Sequence, residues 1–237
     1  TPRGHAVEVR LYAEDVAAGF IPVSGTLTTL EFPTFDGVRV DAGFTSGSHV
    51  STFYDSMLAK VIGYGATRDE ACSRVARALT ETRIHGVITN RDLLVGILRE
   101  DEFRAGAIDT GYLERHSPAA LMAAPGRAEV TQTHALMAAL AAQADRRTRA
   151  SVLPGLPSGW RTLSSQDQSV SFVSGEDTLD VRYRFRRGHL CAAVGDWRPE
   201  IRVISAEAGL VDAEIDGVRR RYQVTHCGSV HYVDSSL

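Results

Sequence analysis

Close to its start the sequence sets His5, Glu8, Arg10, Tyr12, Glu14 and Asp15 in one short stretch. Here Val7, Val9 and Leu11 alternate with Glu8, Arg10 and Tyr12, so as a strand the Glu8 and Arg10 side chains leave one face, about 7 Å apart at Cα. An arginine held this way offers a rigid, permanently charged fork to a carboxylate, a phosphate or an oxyanion. The same spacing also makes a plain surface ion pair, which is the commoner outcome on an amphipathic strand. Phe53-Tyr54-Asp55-Ser56-Met57 places a further carboxylate at a loop-to-strand junction, where a turn or cap is a commoner use than acid catalysis. Lys60 is singular: of the 26 basic residues, 25 are Arg. Any chemistry that needs a lysine must use it, although a solvated strand residue is the commoner reading of such a position than a nucleophile.

Other constellations are weaker. His226, Cys227 and His231 are metal-like in type but have no Cys-x-x-Cys partner, and polar edge-strand residues are the commoner explanation. Arg146-Arg147-Arg149 suits the end of a helix, and Arg219-Arg220-Arg221 a strand facing Asp212 and Glu214. Neither a Gly-x-x-x-x-Gly-Lys-Ser/Thr nor a Gly-x-Gly-x-x-Gly loop occurs. The three cysteines are odd in number and far apart, which argues against a disulfide framework and fits a reducing cytoplasm. Residues 1–116 carry 12 basic and 16 acidic groups, residues 117–237 carry 14 and 13. Neither half has the basic excess of a nucleic-acid binder. No run approaches the roughly 18 apolar residues of a membrane span. The start has neither an initiator Met nor a signal-peptide pattern, so the chain reads as a segment of a longer polypeptide.

These residues need elements to hold them. Strands are predicted over Val7–Tyr12, Thr26–Phe32, Val38–Asp41 and Met57–Tyr64, with turns around Gly19, Pro22, Pro33 and Gly37. Thr67-Arg68-Asp69-Glu70 reads as a capping box opening a helix that Gly86 would stop. Asn90 is placed to cap a second helix reaching Arg99. Together they predict an α+β lobe over 1–116. From 117 to 150 the chain becomes Ala-rich and helical, with Val130, Leu136, Met137 and Leu140 as its buried stripe. Over 151–237 short alternating strands follow, including Leu179–Arg186 and a hairpin at Asp216-Gly217, as in a small antiparallel barrel or sandwich.

The order of motifs is more specific than any one of them. Arg3-Gly4-His5-Ala6-Val7-Glu8-Val9-Arg10, Tyr12-Ala13-Glu14-Asp15, Gly19-Phe20-Ile21-Pro22, Tyr54-Asp55-Ser56-Met57-Leu58-Ala59-Lys60, Gly86-Val87-Ile88-Thr89-Asn90 and Asp109-Thr110-Gly111-Tyr112-Leu113-Glu114 closely resemble the C-terminal part of a biotin carboxylase domain. Val16 departs from the Pro common there, and Ser51-Thr52-Phe53 from a common Pro or His. Leu156-Pro157-Ser158-Gly159-Trp160-Arg161 and Leu179-Asp180-Val181-Arg182-Tyr183 are similar, less tightly, to the joining domain of acyl-CoA carboxylase α subunits.

The resemblance implies the C-terminal part of an ATP-grasp domain, followed by a helix and a β-barrel that docks a carboxyltransferase β subunit. It implies a ligase of the propionyl-, methylcrotonyl- or acetyl-CoA carboxylase kind, in which ATP activates bicarbonate as carboxyphosphate and N1 of biotin takes the CO2. Arg10 matches the arginine that holds the ureido oxygen of biotin, Glu8 would orient it, and Asp55 borders the same site. Thr110 and Gly111 match chain lining the adenine pocket. Arg39 matches a dimer-contact position, although Asp36 replaces an aromatic neighbour there. ATP, Mg2+ or Mn2+, biotin on a carrier domain and bicarbonate are the implied cofactors and substrates, within an oligomeric holoenzyme. The phosphate loop, the metal ligands and the Ala/Val-Met-Lys-Met biotin site of the family are not in this sequence, so neither a metal site nor biotin attachment is expected on it. The competing reading is a non-catalytic interaction module whose working part is 153–237.

Overall fold

A computed structural model of the chain describes residues 3–123, 126–152, 166–186 and 189–235. It divides into two compact units, Thr1–Pro125 and Gly126–Leu237. The Ala-rich helix, read from the sequence as part of a connector over 117–150, is thereby grouped with the second. No helix among the described residues is long and apolar enough to cross a membrane.

The first unit runs β1 (His5–Tyr12), β2 (Glu14–Asp15), β3 (Ile21–Pro22), β4 (Gly25–Thr26), β5 (Thr29–Glu31), β6 (Val38–Ala42), β7 (His49–Val50), β8 (Met57–Gly65), α1 (Arg68–Glu81), β9 (Arg83–His85), α2 (Arg91–Arg99), α3 (Asp101–Ala105), α4 (Tyr112–Arg115) and α5 (Pro118–Leu121). Its centre is an antiparallel sheet in the order β1-β8-β6. The alternation in β1 sends Val7, Val9 and Leu11 inward, and Val7 and Val9 meet Val61 of β8 and the buried face of α1 formed by Ala71, Cys72, Val75, Ala78 and Leu79. Gly63 lets α1 approach this closely: a Cβ there would stand 2.5 Å from Val75 Cγ2 and 2.7 Å from the Ala71 carbonyl oxygen. Leu11, Ala13, Leu27, Leu30, Val50 and Leu58 form a neighbouring apolar cluster.

The capping box forms, with a shift. Thr67 Oγ1 accepts from the Glu70 amide at 3.1 Å, and Glu70 Oε2 accepts from the Ala66 amide at 2.7 Å, one residue before the cap. Gly86 does not stop α1, which ends at Glu81 because Arg83–His85 turn away to pair with β5. At Asn90 the helix does start, but the side chain makes no capping bond.

The second unit contains α6 (Arg127–Arg149), then β10 (Gln168–Ser174), β11 (Asp177–Arg186) and β12 (His189–Val194) as one antiparallel sheet, and β13 (Ile201–Ala206), β14 (Leu210–Ile215), β15 (Val218–Cys227) and β16 (Val230–Asp234) as another. Helix α6 contacts all seven strands. Instead of one stripe it buries Thr133, every residue from Ala135 to Ala141, and Gln143, while Val130 stays only half-buried. A helix apolar on all sides must be enclosed, and its alanines let strands come near from every direction. Leu136, Met137 and Leu140 meet Val181, Tyr183, Val211 and Tyr222 in one core. At the β14–β15 hairpin, Asp216 and Gly217 take φ of 48° and 82°, the pair of positive values that a type I′ turn requires. The Leu156–Arg161 motif lies outside the described residues.

Candidate functional site

The sheet of the first unit has one face packed and one face open. Strand pairing sets Arg10 opposite Lys60 and Lys60 opposite Asp41, and one row along it sets Glu8, Ile62 and Arg39 together. Successive rows two residues apart share a face, so Glu8, Arg10, Lys60, Asp41 and Arg39 stand on the open side. Arg10 Nε donates to Glu8 Oε1 at 3.4 Å, Lys60 Nζ lies 3.6 Å from Asp41 Oδ2, and Arg39 Nε donates to Asp41 Oδ1 at 2.9 Å.

The Arg10 side chain is 60% exposed. Its bond to Glu8 uses Nε, and its two terminal nitrogens make no hydrogen bond to a carboxylate or carbonyl among the described residues. Glu8 first, then Tyr12, holds the guanidinium proton more firmly than usual. The group is therefore a fixed cation with its fork presented to whatever occupies the open face, the form in which arginine serves an oxyanion. Arg39 holds Asp41 below the usual carboxylate range. Asp41 in turn lies within ion-pair distance of Lys60, which joins the lysine to this face.

Near the end of the β1–β8 ladder the register shifts between Leu11 and Tyr12, and Leu58 and Ala59 are buried in succession. This is the signature of a bulge, a device that re-aims side chains beside functional sites. Asp55 sits just beyond it. One of its oxygens accepts from the Met57 amide at 3.0 Å, the capping use expected of that position, and no hydrogen bond or ion pair joins it to Arg10 among the described residues. Its charge and, more strongly, burial push the Glu14 carboxyl up. Phe53 and Tyr54 in the same loop are 99% and 88% exposed.

Thr110 and Gly111 belong to a separate corner, and no hydrogen bond connects them to Arg10. Asp109 Oδ1 accepts from the Gly111 amide at 2.9 Å and from Arg115 Nη1 at 2.8 Å, while Arg115 and His116 both bind Glu102. Tyr112, buried beneath with its hydroxyl 3.2 Å from Glu100, is pushed up to about 12 by burial and by that carboxylate. The Thr110 side chain is left exposed on a turn braced by charge.

One residue of the site was misread from the sequence. Asn90, placed as a helix cap, is 7% exposed and spends its amide on β1: Nδ2 donates to the Arg10 carbonyl at 3.2 Å and Oδ1 accepts from the Tyr12 amide at 3.0 Å. Its position before a helix masked that use, since cap residues and buried strand clamps draw on the same amide chemistry. In the second unit, the His226 and His231 rings meet edge to face with centroids 4.3 Å apart. Cys227 follows on the opposite side of the strand. No group of three or more His, Cys, Asp or Glu side chains able to hold a metal ion occurs among the described residues.

Comparison with known proteins covers both units. Residues 8–115 match the family described as Biotin carboxylase C-terminal domain, and residues 131–236 match Methylcrotonyl-CoA carboxylase, alpha-subunit, BT domain. Biotin carboxylase 2 of Bacillus subtilis is 41% identical over 113 residues, 48% of this chain and 25% of that protein. The mitochondrial methylcrotonoyl-CoA carboxylase subunit alpha of Oryza sativa is 38% identical over 114 residues, 48% of this chain and 16% of that protein. Among solved structures, the biotin carboxylase domain of a thermophilic 2-oxoglutarate carboxylase bound to bicarbonate is similar at TM-score 0.50 and 33% identity, covering 52% of this chain and 28% of that one. The complete pyruvate carboxylase of Rhizobium etli is similar at TM-score 0.50 and 31% identity, covering 61% and 14%. The chain thus spans about a quarter or less of the length of these curated relatives.

Proposed function

We propose that this chain is the part of a biotin-dependent carboxylase subunit that presents Arg10 to biotin and docks its partners, within an enzyme that uses ATP and bicarbonate to carboxylate carrier-borne biotin. The observation that carries the reading is the Arg10 fork, held by Glu8 through Nε on the open face of the sheet and 60% exposed, inside the stretch that matches the biotin carboxylase C-terminal domain. The groups bound elsewhere in the enzyme supply an activated carboxyl and a ureido acceptor. What this chain contributes is a cation where the ureido oxygen gains negative charge, and preorganised charge of that kind is worth most in the transition state. The exposed guanidinium fits such an oxygen.

Glu8 orients the fork, Asp55 borders the site from the bulge end, and Thr110 with Gly111 lines the adenine pocket. The described residues offer no cluster of side chains for Mg2+ or Mn2+. The second unit serves docking of a carboxyltransferase β subunit, in an oligomer that also holds the biotin carboxyl carrier domain and acts on an acyl-CoA. The match to a BT domain supports this part.

In the full-length protein, Arg10→Ala is expected to lower biotin-dependent carboxylation about 100- to 1,000-fold, and an unchanged rate overturns the assignment. The 237-residue chain alone is expected to show no bicarbonate-dependent ATP cleavage, so turnover of free biotin by it would contradict the reading. Loss of β-subunit capture on deleting residues 151–237 tests docking.

A further inference from the structure

We infer that Asn90 is a positioning residue for Arg10, holding the free edge of β1 so that the guanidinium stands where the reaction needs it. The inference rests on the reading of Arg10 given above. In the sheet order β1-β8-β6, strand β1 has a strand partner on one side only among the described residues. Its outer edge must therefore find other partners for its backbone groups. Asn90 provides three: Nδ2 donates to the Arg10 carbonyl at 3.2 Å, Oδ1 accepts from the Tyr12 amide at 3.0 Å, and its own backbone amide donates to the Tyr12 carbonyl at 3.2 Å. A primary amide carries the same donor and acceptor as a peptide unit, so this side chain stands in for one residue of a further strand. Its orientation is fixed by its partners, because the reverse flip would oppose donor to donor and acceptor to acceptor.

Two features make this clamp matter at Arg10. First, the β1–β8 register breaks between Leu11 and Tyr12, so β8 grips this end of β1 less regularly and the outer edge carries more of the restraint. Second, the clamp is mounted on a packed element: Asn90 is 7% exposed, Leu93 and Leu98 of α2 are buried, and the Asn90 carbonyl accepts from the Leu94 amide at 3.1 Å. The Arg10 carbonyl points outward to Asn90, which makes Arg10 and Lys60 a pair not hydrogen-bonded to each other, the kind whose side chains stand closest. Movement of the clamp would therefore shift Arg10 relative to both Lys60 and the open face.

The test compares Asn90→Ala, Asn90→Asp, Arg10→Ala and the double variant Arg10→Ala/Asn90→Asp in the full-length protein. Three quantities are read: hydrogen exchange at the Tyr12 amide, biotin-dependent turnover with its kcat and KM, and bicarbonate-dependent ATP cleavage without biotin. The isosteric Asn90→Asp keeps an acceptor for Tyr12 but faces the Arg10 carbonyl without a proton. Biotin-dependent kcat is expected to fall about tenfold, as for a modest misplacement of a catalytic group. It is expected to recover as pH falls and the carboxyl regains a proton to donate, while biotin-independent ATP cleavage and its KM stay unchanged. The loss should vanish on the Arg10→Ala background, and Asn90→Ala should speed exchange at Tyr12. If Asn90→Asp lowers both reactions together, or leaves biotin-dependent turnover unchanged while Arg10→Ala abolishes it, the positioning role is wrong. If Arg10→Ala itself has no effect, the reading of the site fails and the inference falls with it.

Discussion

The two units differ in how fully the charges on neighbouring strands are matched. In the second, charges facing each other across neighbouring strands are of opposite sign: Glu214 lies opposite both Arg202 and Arg219, and Asp212 opposite Arg221, with Arg219 gripping Asp212 through two bonds of 2.9 and 2.7 Å. In the first, Glu31 lies opposite Arg83 and Asp41 opposite Lys60, but Arg10 also lies directly opposite Lys60. Opposite charges across a ladder stabilise it, and like charges oppose it. The like-charge pair on the open face therefore does not help the ladder, whereas the matched pairs do. The cores differ in the same sense. The strands of the second unit enclose a helix, while the sheet of the first packs on α1 along one face alone.

The enclosed helix gives the largest expected effect. Leu140 is fully buried among residues of both sheets, and Leu140→Ala should cost about 2–5 kcal/mol. Both tryptophans, Trp160 and Trp197, fall within 126–237, so their fluorescence on urea unfolding reports the second unit. A midpoint that does not move would show that the helix is not the core. The one-sided sheet is tested by Gly63→Ala, whose new methyl would meet Val75 and the Ala71 carbonyl. It should cost about 1–3 kcal/mol, seen as faster amide exchange along β8 and α1 with unchanged tryptophan unfolding.

A smaller effect of opposite sign tests the charge contrast itself. Lys60→Thr removes the like-charge pair and adds a β-branched residue suited to a strand. It should stabilise the first unit by about 0.2–1 kcal/mol, read from slower exchange at β1 and β8 amides. A loss of stability would mean that the Asp41 contact at 3.6 Å outweighs the repulsion, and the contrast between the units would lose its basis.

Much of this was legible in the sequence, and what was not has identifiable causes. Period-two alternation located β1 and β8 and put Glu8 and Arg10 on one face, because a single sheet face packed on one helix imposes that pattern. Alternation says which side is buried, however, and not which polar residues meet across strands, since register depends on distant partners such as Lys60 and Asp41. The same gap hid Asn90, whose partners Arg10 and Tyr12 are 80 and 78 residues away. For α6, composition misleads in a different way: its alanines look half-polar in a helical pattern, which suggests one stripe where the middle of the helix is buried on every side. The candidate site was legible chiefly through the order of motifs, which spacing by itself left as a surface ion pair.

The subtlest expected effect is one of shape, in the response of each unit to pH. Asp212 is held below the usual carboxylate range by Arg219, so its native form binds a proton less readily than the unfolded chain. Its contribution is therefore present above the ordinary carboxylate pKa of about 4 and is lost as pH falls through the lower native value. Glu14 is the reverse: burial, and then Asp55, raise it, so the native state favours its protonated form and that stability is lost as pH rises through the raised value. Asp212→Asn should accordingly flatten the loss of tryptophan-monitored stability below about pH 4. Glu14→Gln should flatten the decline of the first unit above about pH 4 and raise its stability at pH 7. Measured by amide exchange across that range, opposite slopes would show that the first unit carries a destabilising charge at Glu14 and that the second gains stability from the charge of Asp212. Parallel slopes would mean that the two charges act alike on stability.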